Sequence, residues 1–93
     1  MIKLLLGVAE RSADKYGGDF DQYTKVGLYT LYRNDATNAP VQSPYGILVV
    51  LKGNQDWIVW QLYAGANGVV YSRNYEGLNS KTWTSWKQVA VVS

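Results

Sequence analysis

The segment 45–75, YGILVVLKGNQDWIVWQLYAGANGVVYSRNY, limits the possible folds more than any other part of the chain. Three runs rich in β-branched and aromatic residues are separated by two turn signals, Gly53-Asn54-Gln55-Asp56 and Asn67-Gly68. Asn-Gly between apolar runs is the strongest short-range cue for a tight hairpin, because both residues tolerate positive φ. The segment therefore predicts an antiparallel meander. A two-residue loop at Asn67-Gly68 sets Leu62 opposite Arg73 and Trp60 opposite Tyr75. A four-residue loop from Gly53 to Asp56 sets Leu51 opposite Ile58 and Val49 opposite Trp60.

In that register one face carries Ile47, Val49, Leu51, Ile58, Trp60, Leu62, Tyr71, Arg73 and Tyr75, and is the expected core side. The other face carries Leu48, Val50, Lys52, Trp57, Val59, Gln61, Tyr63, Val70, Ser72 and Asn74, and is only half polar. An antiparallel sheet with one solvated side alternates more cleanly than this. Both sides therefore ask for cover. A slip of one residue in either turn would exchange the two labels without removing that demand.

Upstream, 27–33 (GLYTLYR) predicts a further strand, with Leu28, Thr30 and Tyr32 on one side and Tyr29 and Leu31 on the other. Tyr16-Gly17-Gly18-Asp19 reads as a hinge, and Phe20-Asp21-Gln22-Tyr23 as a short helical or capped turn. The stretch 34–44 holds both prolines and predicts a long surface loop, a kind of segment that is often functional in small domains. After a polar turn over 76–81, residues 82–91 form the last expected strand. Trp83 and Trp86 are three apart. Either one is core and the other surface, or a bulge at Thr84-Ser85 re-aims one of them.

The apolar run at 4–9 is six residues, too short for a secretory signal core or a membrane span. As a helix it would align Ile2, Leu5, Leu6, Ala9 and Ala13; as a strand, Leu4 and Leu6 would alternate with Lys3 and Leu5. The expected organisation is a linker or stalk over 1–17 and one β domain over 18–93. The expected fold class is mainly β: a small antiparallel sheet or sandwich of about five strands, with a short N-terminal helix as an option.

A chain of 93 residues is one domain, near the size at which a small β fold is marginal alone. Eight Tyr and four Trp against one Phe favour rings placed at interfaces or ligand surfaces, since both have an apolar body and a polar tip. Nine Lys and Arg against seven Asp and Glu are scattered along the chain, with no nucleic-acid patch. The absence of His and Cys excludes a Ser-His nucleophile and disulfides, and argues against a transition-metal site; no cofactor is expected. Asp19 and Asp21 are the closest carboxylates in sequence, but on a turn they are more naturally solvated or capping than catalytic. No catalytic residue is assigned.

Arg73, on the expected core side, is either a structural arginine stacked near Trp60 or Tyr75 and hydrogen-bonded to a carboxylate or backbone carbonyls, or a contact for an acidic sugar. Trp57, Gln61, Tyr63, Ser72 and Asn74 share the other face, and rings beside amides suit a neutral glycan. The competing use of that face is a subunit interface. With Arg73 and Trp83, these five make up the candidate ligand-binding set.

A succession of short motifs then resembles one family: Asp19-Phe20-Asp21-Gln22-Tyr23 before Gly27-Leu28-Tyr29, Ala36-Thr37-Asn38-Ala39-Pro40, Gly46-Ile47-Leu48-Val49-Val50, Gln61-Leu62-Tyr63, Val70-Tyr71-Ser72-Arg73 and Thr82-Trp83-Thr84-Ser85-Trp86-Lys87. This order is similar to that of the pyocin-knob family, small β domains of bacteriophage tail fibres and of phage-tail-like bacteriocins. The likeness spans about residues 18 to 91. It implies a homotrimeric domain of a virion tail fibre or an extracellular phage-tail-like particle. Such a domain contacts other fibre segments and binds a bacterial surface glycan or lipopolysaccharide, without catalysis, nucleic acid or membrane insertion. Three copies packed about an axis would also cover apolar surface that one short chain cannot. The alternatives are a purely structural trimeric knob or connector, and a fragment of a glycan-cleaving tailspike.

Overall fold

The β-branched and aromatic runs do form the meander, and the length of one loop decides which way its side chains point. A computed structural model describes residues 10–11, 17–53 and 57–89. Its elements are β1 (Glu10–Arg11), a 3-10 turn (Phe20–Gln22), β2 (Gly27–Tyr32), β3 (Tyr45–Lys52), β4 (Ile58–Gly65), β5 (Val70–Glu76), β6 (Thr82–Trp83) and β7 (Lys87–Gln88). They make a single sheet in the order β1-β2-β3-β4-β5-β6, with β7 also paired to β5. β2 to β5 are antiparallel neighbours in sequence order, and β1 adds in parallel at Leu28 and Tyr29. The mainly β, antiparallel expectation is met by a sheet rather than a sandwich. Of the optional N-terminal helix through Ala13, Glu10–Arg11 are strand instead, and the remainder lies outside the described residues.

At the β4–β5 hairpin, Gly68 N–H donates to Gly65 O at 2.9 Å and Gly65 N–H to Val69 O at 2.9 Å. These bonds enclose three residues, Ala66, Asn67 and Gly68, with Gly68 at φ 90°. A turn followed by a left-handed glycine is the usual three-residue hairpin loop. The expected two-residue loop is therefore corrected by one residue. Leu62 pairs with Ser72 and Trp60 with Asn74, while Gln61 meets Arg73 and Tyr63 meets Tyr71. At the β3–β4 hairpin the pairs are Leu51 with Trp60 and Val49 with Leu62, two residues from the expected register. A shift of two preserves the faces; a shift of one exchanges them.

The face labels of β3 and β4 are consequently reversed, while Tyr71, Arg73 and Tyr75 of β5 lie on the core side as expected. The core consists of Tyr29, Leu31, Leu48, Val50, Val59 and Tyr63 under Phe20 and Tyr23. On the side expected to be core, Ile47, Leu51, Ile58, Trp60 and Leu62 are all exposed, Trp60 by 46%. The chain covers the inner side with irregular segments. Phe20 N–H bonds Thr37 O at 3.0 Å and Thr37 N–H bonds Gly18 O at 2.9 Å, tying the 3-10 turn to the 34–44 loop. Ala36, Ala39 and Val41 of that loop pack on the core and Pro44 is buried, so the expected surface loop is half of a second layer.

Tyrosines serve as core rings because their hydroxyls reach partners at the rim. Tyr23 donates to Gly17 O and Tyr29 to Lys25 O, both at 2.6 Å, and Tyr63 Oη accepts from Tyr45 N–H at 2.9 Å.

The last expected strand is split by a bulge. Tyr75 pairs with Trp83, and Ser72 with Lys87, which leaves Ser85 and Trp86 opposite the single residue Arg73. Of the two arrangements open for Trp83 and Trp86, a bulge is the one adopted, at Ser85-Trp86 rather than Thr84-Ser85, and both rings lie on the inner side.

Gly46 on β3 approaches the β4 backbone so closely that a β-carbon would collide with Ala64 O. Overpacking of this kind costs about 1–3 kcal/mol. Gly46→Ala should lower the melting temperature by roughly 4–8 °C for each kcal/mol, measured by circular dichroism.

Candidate functional site

Arg73 and Gln61 are cross-strand partners at the middle of the inner face, and both are buried. Arg73 Nε donates to Gln61 Oε1 at 2.8 Å, and Arg73 Nη2 donates to Asp21 Oδ1 at 2.9 Å. Gln61 Nε2 in turn donates to Phe20 O at 2.6 Å and Tyr23 O at 2.9 Å, tying the sheet to the 3-10 turn. The guanidinium carbon lies 4.0 Å from the Trp83 ring centre and 4.7 Å from that of Trp86, so two indoles flank the charge. Trp86 Nε1 donates to Asn38 O at 2.9 Å, and Asn38 Nδ2 donates to Asp19 Oδ1 at 2.8 Å. Asp19 also caps the 3-10 turn by accepting Asp21 N–H at 3.0 Å.

Burial pulls the Arg73 pKa below its ordinary value, against the hydrogen bond and charge of Asp21. The Asn38 amide holds the Asp19 carboxyl below the usual carboxylate range, against a smaller desolvation effect. Among the described residues no buried side-chain nitrogen or oxygen lacks a partner. Asp19 and Asp21 thus serve as cap and counter-ion, as a structural reading of Arg73 requires. The carboxylate is Asp21, and the rings are Trp83 and Trp86 rather than Trp60.

A second carboxylate builds the approach to this cluster. Glu76 accepts backbone N–H bonds from Leu78 at 2.9 Å, Asn79 at 2.9 Å and Ser80 at 2.7 Å, closing the turn that delivers Trp83. Those amides, with Ser80 and Asn79 foremost, hold its carboxyl below the ordinary value.

Beside Arg73 the surface opens into a cleft of about 500 Å³, lined by Asp21, Asn38, Lys81, Trp83, Ser85 and Trp86 among others. A smaller hollow of about 240 Å³ lies between Tyr45, Tyr63, Tyr71 and Asn67.

The candidate ligand residues separate accordingly. Gln61, Arg73 and Trp83 come together, with Gln61 as a buried support and Trp83 as a wall of the cleft. Tyr63 is buried and borders the smaller hollow. Trp57 is 48% exposed at the start of β4, where its carbonyl accepts Gly77 N–H at 2.7 Å. Ser72 and Asn74 lie on the outer side opposite Leu62 and Trp60, so they do not share a face with Gln61. The one-residue slip at the hairpin separates them. Trp86 was visible in the Trp-x-x-Trp spacing, whereas Asp21, Asn38 and Lys81 come from turns with no periodicity to place them.

The outer side of the sheet is a continuous apolar surface. Ile47 and Leu51 of β3 lie beside Ile58, Trp60 and Leu62 of β4, with Leu28 and Val49 half-buried among them. Tyr32 is 85% exposed and Tyr45 61%, their ring centres 5.0 Å apart. These seven large apolar or aromatic side chains are exposed together on one side, and a contiguous exposed patch of this kind marks an interaction surface rather than scattered surface hydrophobics.

Among known proteins, no family model, no curated sequence and no solved structure matches this chain.

Gln61→Leu would strip the buried Arg73 Nε of its acceptor and remove the side-chain bonds to Phe20 O and Tyr23 O, while Phe20 O keeps its bond from Tyr23 N–H. Urea unfolding should show a loss of about 1–3 kcal/mol from the stranded donor.

Because the folded Glu76 pKa is lowered, its contribution is complete above about 4.5 and is lost as pH falls through the folded value. Tryptophan emission should therefore change on acidification below that point. In Glu76→Gln the component due to this turn should be absent.

Proposed function

We propose that the chain is a non-catalytic receptor-binding domain of a phage or phage-like tail fibre. It assembles as a homotrimer through the outer face of its sheet and attaches to bacterial surface polysaccharide or lipopolysaccharide. The observation that carries the reading is the exposed row of Ile47, Leu51, Ile58, Trp60 and Leu62 on a sheet whose other side the chain has already covered. A flat apolar surface of that extent is what a symmetric self-association uses. The likeness to pyocin-knob domains supplies the fibre and the threefold state, and the cleft beside Arg73 supplies a surface for a sugar.

A structural trimeric knob is the second reading. It is favoured by the way Gln61 and Arg73 direct most of their polar atoms into bonds within the protomer.

Light scattering after gel filtration should give three times the 10.4 kDa chain mass. The double variant Trp60→Glu and Leu62→Glu should give the single-chain mass with the β circular-dichroism spectrum retained. A monodisperse wild-type monomer at low micromolar concentration rejects the assembly. Retention of the trimer on an array of bacterial lipopolysaccharides and capsular glycans supports adhesion; no retention on any of them favours the structural knob.

A further inference from the structure

We infer that the cleft beside Arg73 reads a neutral sugar residue by two adjacent hydroxyl groups, with Asp21 and Arg73 as its paired acceptor and donor. This rests on the glycan-binding reading above and names its site and ligand class.

The geometry begins with what the guanidinium has left over. Nε is taken by Gln61 and Nη2 by Asp21, both within 2.9 Å. Nη1 makes no bond to a described residue, yet no buried side-chain polar atom among the described residues is without a partner. Nη1 is therefore not fully buried, and the Arg73 side chain, 5% exposed, borders the cleft. Asp21 gives Oδ1 to the arginine, and its side chain is 36% exposed along the same cleft. A donor and an acceptor thus stand side by side at the cleft floor. Adjacent hydroxyls on a sugar ring present the complement, one oxygen accepting from Nη1 and its neighbour donating to the carboxylate.

Charge decides between neutral and acidic ligands. The Arg73 cation is already matched by Asp21 at 2.9 Å, so the floor offers an anion no uncompensated positive charge. A ligand carboxylate placed there would lie against Asp21, and like charges in a partly dry site are strongly unfavourable. Lys81 is exposed among the lining residues and supplies only a solvated charge. An acidic sugar held by Arg73 is therefore disfavoured.

The remaining walls suit a pyranose ring. Tyr75, Trp83 and Trp86 provide apolar surface for its C–H groups, and Ser85 and Asn38 provide polar groups beside them. The cleft volume of about 500 Å³ falls within the roughly 300–1,000 Å³ of small-molecule sites. Two hydrogen bonds and two indoles fix the guanidinium before any ligand arrives, which removes much of the ordering entropy of binding.

The test uses the full chain labelled with nitrogen-15. Galactose and galacturonate, which differ only at C6, are titrated while the indole N–H signals of Trp83 and Trp86 are followed, and the bacterial glycan array is run in parallel. Galactose should shift both signals, and galacturonate should bind no more tightly. Ser85→Tyr, at an exposed position on the cleft, should weaken neutral-glycan binding at least tenfold with an unchanged melting temperature.

Galacturonate binding at least tenfold more tightly than galactose overturns the neutral-diol assignment. Array binding that survives Ser85→Tyr, with unmoved indole signals, overturns the cleft while leaving the adhesion reading intact. Failure of the trimer to bind any glycan on the array overturns the adhesion reading itself, and this assignment with it.

Discussion

A charged guanidinium held beneath two indoles on one side of a single sheet is the constraint on which the rest of this structure depends. Burying Arg73 carries a desolvation penalty, and a buried charge deprived of its partner is strongly destabilising. Every segment that supplies a partner is therefore fixed in place. β4 supplies Gln61, the 3-10 turn supplies Asp21, and the bulged final strands supply Trp83 and Trp86. Gln61 extends the same network to the carbonyls of Phe20 and Tyr23. With no second sheet among the described residues to close the core, this polar brace holds irregular backbone against the strands and lets a small domain keep a defined inner side.

The elements with local signatures were legible in the sequence. The meander, the strand at 27–32 and the 3-10 turn follow from alternation and turn residues, whereas the spacing of Trp83 and Trp86 left a bulge as one of two options. The identity of the core face does not, because both faces are apolar and Asn67-Gly68 looks the same in a two-residue loop as in a three-residue one. One clue to the true register was present. Only the slipped pairing sets Gln61 against Arg73 and lets the two long polar side chains satisfy each other. Of the candidate site, Arg73 and Trp83 could be named from their residue types. Asp21 and Asn38 could not, since they reach the cluster through docking of a turn and a loop onto the sheet, and such docking leaves no period in the chain.

The two sides of the sheet are built for different company. The inner side is closed by Phe20, Tyr23 and the 34–44 loop, and carries the cleft at its margin. The outer side, with Trp60 and Leu62 at its centre, is left open. Because Trp83 and Trp86 lie on the inner side, self-association through the outer side leaves the cleft accessible. Under the proposed assembly each particle would present three such clefts, so that weak contacts with single sugars add up through multivalency.

The extra residue in the final strand makes this region more vulnerable to changes of length than to changes of type. Ser85 and Trp86 together face one residue of β5, and that count alone turns the second indole inward. Loss of a single codon here would rotate Trp86 toward the outer side and uncover the arginine, a change that no side-chain replacement at Ser85 reproduces. Natural diversification of such a domain should therefore tolerate substitutions along this rim while purging insertions and deletions between Trp83 and Lys87.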